Sequence, residues 1–403
     1  MFGVLNVRLK KILFSPVIII AIIVFSGSIE TEPPPVSLPV SLNVAAAASG
    51  PGSGTDVSTA VLETKPIIPE SPAASDTAPD EPELVAYEGP VRHIFFHPLI
   101  LFPERAFRGT SLSKGFNDWF VTVPEFSKIL ESIYENDFIL VSMDSVCGIS
   151  EQNGVKIVQR NKLFLPKGKK PLIISIDDLN YYDYMINNGC ASRLYFDSQG
   201  HTAVEYREKD GTNGFSYDDI VPMVDEFVRR HPDFSFNGAK GIIALTGYEG
   251  ILGYRTNETD SPGYEADKTL AGALVKMLKE DGWSFACHGY GHLDAAKVSI
   301  GRFEKDCERW KKEVAPLTGE TPVYIYPYGS ALKPSDKKFK LLKDNGFAIF
   351  CGVGPDGAIE FKGDYAYLER KNVDGLTISG NSRYLKDLFD CSQVLDPIRP
   401  GEY

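Results

Sequence analysis

The sequence predicts an α/β protein, a barrel of six or seven strand–helix units. Three observations predict it. From Val91 onward, short apolar runs alternate with amphipathic helical patterns, as in a parallel sheet covered by helices. Polar residues suited to chemistry follow several of those runs directly, where barrels carry their sites. Everything before Val91 has a different composition, basic, then apolar, then proline-rich.

The chain opens on three basic residues, Arg8, Lys10 and Lys11, followed by an uncharged apolar run, Ile12–Ile29. That length spans a bilayer, and basic flanks stay on the cytoplasmic side. Residues 1–29 are therefore expected to be a signal anchor or a signal peptide. They place the rest of the chain outside the cytoplasm, membrane-held or, if cleaved, secreted. Residues 30–88 carry recurrent prolines among Ser, Ala, Thr and acidic residues with no lasting period, which reads as a disordered spacer. The catalytic domain is expected over 89–403.

Within that domain the runs come in order. HIFFHPLI (93–100) reads as a strand and 123–136 as a helix with Phe126, Ile129, Leu130 and Ile133 on one face. FILVS (138–142) and PLIISI (171–176) are strands, and 191–214 is a hairpin region with Gly200 and Gly211 in its turns. Helix 218–231, strand 241–246, helix 267–281, strand 283–287, helix 301–315, strand 322–327, helix 335–345 and strand 347–353 follow.

The chain has 403 residues, 43 % of them hydrophobic, and a net charge of −12. An acidic balance argues against nucleic acid as a partner. The six cysteines have no CxxC spacing, which excludes zinc-finger and thioredoxin readings. They are expected to be mostly buried small hydrophobes.

Three strand ends converge in type. Asp177-Asp178 follows PLIISI, His288 follows WSFAC with His292 four residues on, and Tyr326-Pro327-Tyr328-Gly329 closes PVYIY. Two imidazoles and a carboxylate hold Zn²⁺ or a similar ion with a position open for water. A second carboxylate serves as general base. A bend just past the strand lets adjacent aspartates fill both roles.

SIDDLN (175–180) resembles the TFDDG motif of the NodB-homology polysaccharide deacetylases. HGYGH (288–292) is similar to their H-(S/T)-x-x-H motif, and YIYPYG (324–329) to their third motif. The resemblance covers roughly 91–403 and implies a distorted, NodB-like (β/α) barrel of about seven strands. It implies Asp177 as catalytic base and Asp178, His288 and His292 as ligands of a divalent metal, Zn²⁺ first, with Co²⁺, Ni²⁺ or Mn²⁺ as alternatives. It places the oxyanion and substrate at Tyr326, Pro327, Tyr328 and Gly329, with a backbone N–H near Tyr328. The implied reaction removes N-acetyl groups from a hexosamine polysaccharide such as peptidoglycan. An O-acetyl esterase and a non-catalytic metal- or glycan-binding protein are the alternatives on the same fold.

The sequence departs from the family pattern at four places. Leu179 and Gly289 stand where the motifs have Gly and Ser or Thr, and no Arg precedes Pro327. No histidine follows His292, and Leu376-Thr377-Ile378 stands where the family has L-x-H. His97, at the end of the first strand, is the candidate substitute acid or substrate ligand. Tyr248, Tyr254 and Arg255 are candidates to line a sugar cleft, and Arg370 to orient the base. His93 reads as structural, His201 as exposed, and His231 as a helix C-terminal residue whose charge suits the dipole.

Overall fold

The computed structural model describes residues 82–380 and 383–401. The apolar run 12–29 and the spacer up to residue 81 lie outside the described residues. No helix among those described is long and apolar enough to cross a membrane.

Seven parallel strands close into a barrel. In order around the ring they are Arg92–Phe96, Lys170–Asp177, Gly241–Leu245, Trp283–Cys287, Val323–Ile325, Ile349–Val353 and Ala366–Asn372, which returns to the first. The expected number is right, and one member is not. FILVS supplies only Phe138–Leu140, which pairs with the beginning of the Lys170–Asp177 strand and stands outside the ring. Gly241–Leu245 takes the same edge further along, at Ser175–Asp177. Two strands thus share one edge, and the ring closes there only beside Asp177. The seventh strand is Ala366–Asn372, whose charged second half hides it from an apolar-run search.

Alternation along each strand sorts the side chains into two layers. Leu172, Ile174, Ile176, Ile243, Leu245 and Phe285 pack outward with helix residues Phe126, Ile129, Phe227, Leu274, Phe303 and Trp310. Ile173, Ile242, Ala244, Ala286, Val323, Ile325, Cys351 and Leu368 form the interior cluster. Asp177, His288 and Arg370 continue the inward parity of Ile173, Ala286 and Leu368, and His97 that of His93.

Antiparallel strands add to the barrel, among them Ile359–Phe361, which pairs with Ala366–Asn372. Cys147–Gln152 pairs with Val155–Arg160, and Thr202–Arg207 lies between Arg193–Phe196 and Asn213–Ser216. Leu84–Tyr87 pairs with Leu163–Pro166. All six cysteines are buried.

The C-terminal segment is fastened by a buried ion pair. Thr122 and Glu125 form a capping box at the start of helix Val123–Glu135, which satisfies free N–H groups of the first turn. Glu125 also accepts from Arg399 at 2.5 and 2.7 Å. Arg399 donates further to the Asn117 and Phe120 carbonyls at 2.8 and 2.6 Å. Replacing Arg399 by Met strands the Glu125 carboxylate in the core. Urea unfolding of the variant is expected to show a loss of about 3–5 kcal/mol.

Candidate metal centre

Asp177 is the last residue of its strand and points inward. A continuing strand would send Asp178 to the opposite face. Asp178 instead adopts φ +61°, a left-handed conformation that Asp tolerates better than most residues, and its N–H donates to the Ala244 carbonyl at 3.2 Å. The turn brings both carboxylates to the mouth of the barrel, as the bend inferred from the sequence requires.

The two carboxylates have different partners. Arg370 donates to both oxygens of Asp177, at 2.7 and 2.9 Å. The guanidinium also reaches Ser175 Oγ at 3.1 Å and lies 4.1 Å from the centre of the Phe95 ring. Burial alone would raise the Asp177 pKa. The Arg370 charge and hydrogen bonds, with His288, outweigh it and bring the pKa down to about 2. Arg370 is therefore the residue that orients Asp177.

Asp178 accepts from the Tyr182 hydroxyl at 2.6 Å, and that hydroxyl also meets Thr246 Oγ1 at 2.6 Å. Burial opposes its charge, but His292, His288 and His97 with the Tyr182 bond hold its pKa below the ordinary value.

Asp178, His288 and His292 each offer a ligand atom, and all three atoms lie within 4.8 Å of one another. His288 Nδ1 is 2.9 Å from the Ile325 carbonyl. A carbonyl only accepts, so Nδ1 carries the proton and Nε2 keeps its lone pair for a metal. Burial above all pushes the His292 pKa down to about 4, so its ring is neutral, as a ligand must be. His292 Nε2 stands 3.5 Å from Asp178 Oδ2. Two ligand atoms at about 2.1 Å on a tetrahedral ion are separated by about 3.4 Å. That separation suits two ligands of a divalent ion such as Zn²⁺.

The loop between the two histidines is shaped by Asp306 on helix Ile300–Glu313. Its carboxylate accepts from the Tyr290 and Gly291 N–H groups at 2.8 and 2.7 Å. Gly289 sits at φ +69°, and a Cβ there would lie 3.2 Å from Asp306 Oδ2. That explains glycine where the family motif has Ser or Thr.

The other sequence candidates fall in three groups. Tyr328 and His97 are at the mouth. The Tyr328 ring is 4.5 Å from that of His292 and 70 % exposed. His97 donates from Nδ1 to the Trp119 carbonyl at 3.2 Å and contributes to the field at Asp177 and Asp178. Tyr248 stacks at 4.5 Å on Tyr182, whose hydroxyl holds Asp178. Tyr326 and Pro327 are buried in the turn, with Gly329 at φ +63°.

Tyr254 and Arg255 make contacts within the loops. Tyr254 is 6 % exposed and packs under Arg193, because the Ile251–Tyr254 bridge turns it inward. Arg255 braces loops, donating to the Glu249 carbonyl and Asp183 at 2.6 and 2.7 Å. His93 is buried on Ser175 Oγ at 3.0 Å, His201 is exposed, and His231 caps its helix against Tyr134.

Sequence reading missed Tyr182 and Asp306. Asp306 had a usable signal, a carboxylate on the apolar stripe of Phe303, Cys307 and Trp310. Tyr182 had none, since its reach back to Asp178 depends on a left-handed turn at Asp178 and another at Tyr181.

Two measurements test this geometry. Tyr182→Phe removes the bond that orients Asp178, and calorimetric Zn²⁺ titration is expected to show a fall in affinity of about 10–100-fold. Arg370→Met leaves Asp177 charged and unpaired in the core, and denaturant unfolding at pH 7 is expected to show a loss of about 3–5 kcal/mol. Without Arg370, burial raises the Asp177 pKa above its unfolded value, so the deficit should shrink as pH falls. The wild type should lose this contribution only as pH drops from about 4 through about 2.

A family model for polysaccharide deacetylase matches residues 256–350. A search of curated protein sequences finds no match. Among solved structures, a polysaccharide deacetylase from Bacillus cereus is 12 % identical with a TM-score of 0.37, covering 74 % of this chain and 69 % of that one. A Streptococcus pyogenes deacetylase in complex with acetate is 11 % identical with a TM-score of 0.37, covering 79 % and 100 %. A Bacillus anthracis protein assigned as a polysaccharide deacetylase is 13 % identical with a TM-score of 0.39, covering 72 % of this chain. The chain spans 65 % of that protein's length, short of two thirds. Residues 256–350, which match that family model, supply His288, His292 and the Pro327–Gly329 turn, and the family is the one that the motifs resemble.

Proposed function

We propose that the protein is a metal-dependent hydrolase that removes N-acetyl groups from a hexosamine polysaccharide of the cell envelope, such as peptidoglycan. One observation carries the reading. A complete Asp-His-His donor set lies beside a second carboxylate that is buried, ionised and oriented by Arg370. A purely metal-holding or glycan-binding protein has no use for that second carboxylate.

Asp178, His288 and His292 would hold the ion. Such an ion would supply Lewis acidity there, lowering the pKa of a bound water towards about 7 and polarising the acetamide carbonyl. Asp177 takes the proton of the attacking water, and the backbone N–H near Tyr328 stabilises the tetrahedral oxyanion. The C–N bond then breaks, acetate leaves the sugar, and the departing nitrogen needs a proton. Of the six histidines, His97 is the one beside the two aspartates that is not in the ligand set, and it is the proposed donor. The basic, then apolar start of the sequence supports a location outside the cytoplasm, single-pass on the cell membrane or secreted after cleavage.

A second reading has one observation in its favour. No histidine follows His292, and an acetyl ester, whose alkoxide leaves more readily than an amine, tolerates a weaker acid. The test is acetate release from N-acetylglucosamine oligomers, peptidoglycan and an acetyl ester, with Zn²⁺ added. Metal-dependent release from the amides is expected, falling by about 10²–10⁴-fold in Asp177→Asn while metal stays bound. Release from the ester alone selects the esterase. No release at all, with metal bound, selects the binding protein.

A further inference from the structure

We propose that His93 is a positioning residue for the base: through Ser175 it holds Arg370, and Arg370 aims Asp177. The inference rests on the hydrolase reading above, in which Asp177 is that base.

The four side chains make one buried chain. His93 Nε2 lies 3.0 Å from Ser175 Oγ, and Arg370 Nη1 donates to the same oxygen at 3.1 Å. The guanidinium takes both oxygens of Asp177 at 2.7 and 2.9 Å. All four residues are buried. They come from three neighbouring strands, Arg92–Phe96, Lys170–Asp177 and Ala366–Asn372.

Packing gives no reason for an imidazole at this place. The interior layer is built of Ile173, Ile242, Ala286, Val323 and other apolar residues. An apolar side chain would join them without the cost of burying two ring nitrogens.

Hydrogen-bond accounting does give a reason. A hydroxyl donates once and accepts twice. Ser175 Oγ accepts from Arg370 and donates to the Ile94 carbonyl at 3.5 Å. One acceptor position remains, and His93 Nε2–H fills it. The opposite tautomer would put the proton on Nδ1, which is buried and has no partner among the described residues. Buried N–H groups without an acceptor are rare. With its proton and both acceptor positions engaged, the Ser175 hydroxyl is fixed on Arg370. Burial and the Arg370 charge hold the His93 pKa well below the usual value. The neutral ring therefore adds a donor without adding a second cation to compete with Arg370 for Asp177.

Two measurements on the full-length protein test this. In nitrogen NMR of the imidazole rings, the His93 signals are those lost in His93→Gln. The ring is expected to carry its proton on Nε2 and to stay neutral on acidification past the ordinary histidine range. In acetate release with Zn²⁺ added, His93→Leu, close in size and without a donor, is expected to lower kcat by roughly three- to tenfold, with KM and Zn²⁺ affinity unchanged. His93→Gln, whose amide nitrogen reaches about as far as Nε2, should regain most of that loss. Ser175→Ala should lose as much as His93→Leu, and the double variant little more, because the chain is already cut. A side chain that serves stability alone would lower the urea midpoint and leave kcat unchanged.

A proton on Nδ1, a ring charged at neutral pH, full kcat in His93→Leu, or independent losses in the double variant would overturn the proposal. The two readings fail separately. Full acetate release by His93→Leu removes the positioning role and leaves the hydrolase. No acetate release by the unaltered protein removes the hydrolase, and the His93 tautomer then decides whether the chain to Ser175 holds.

Discussion

The pair between Arg370 and Asp177 ties the barrel to its chemistry. Arg370 comes from the closing strand, and Asp177 from the strand two places round the ring. Between them lies the strand Arg92–Phe96, and the guanidinium crosses it on the ring of Phe95. A charge pair this buried contributes little net stability against an apolar pair of equal volume, yet losing one partner is costly. Its consequence is therefore arrangement. It fixes Asp177 where Gly241–Leu245 joins the ring, and the chain turns left-handed at the next residue to deliver Asp178.

From that arrangement the two neighbouring aspartates acquire different tasks. Both oxygens of Asp177 are taken by Arg370, which holds the group ionised and aims it. Asp178 gives one oxygen to Tyr182 and keeps the other facing His292. His288 is locked in one tautomer by a backbone carbonyl of the next strand, and His292 is kept neutral by burial. The rest of the centre is backbone control, with Asp306 pinning the histidine loop through two N–H groups. These contacts give each ligand atom its charge state and direction before any ion binds.

Much of this was legible in the sequence, for a definite reason. Inward parity and strand ends are both periodic features, so Asp177, His288 and their shared face could be placed from apolar runs alone. The ring membership of Ala366–Asn372 could not, because its inward position after Leu368 is an arginine and its outward positions are polar or aromatic. FILVS misled in the opposite sense. It is an apolar strand, but the edge it pairs with passes to Gly241–Leu245 before the ring closes. Tyr254 and Arg255 were singled out by the strand end that their loop follows and by its composition, neither of which gives a side chain's direction, and the local turn buries Tyr254. Tyr182 and Asp306 act through left-handed residues and loop N–H groups, and neither has a period in sequence.

The central claim is that Asp178, His288 and His292 hold one catalytic metal while Asp177 stays free of it. X-ray absorption spectroscopy on the Zn²⁺-loaded protein tests it most directly. One ion per chain is expected, with two imidazoles and only N/O neighbours at about 2.0–2.2 Å, including a solvent oxygen. The Asp177→Asn variant should give the same spectrum. A sulfur neighbour, a spectrum altered by Asp177→Asn, or no stoichiometric metal would contradict it.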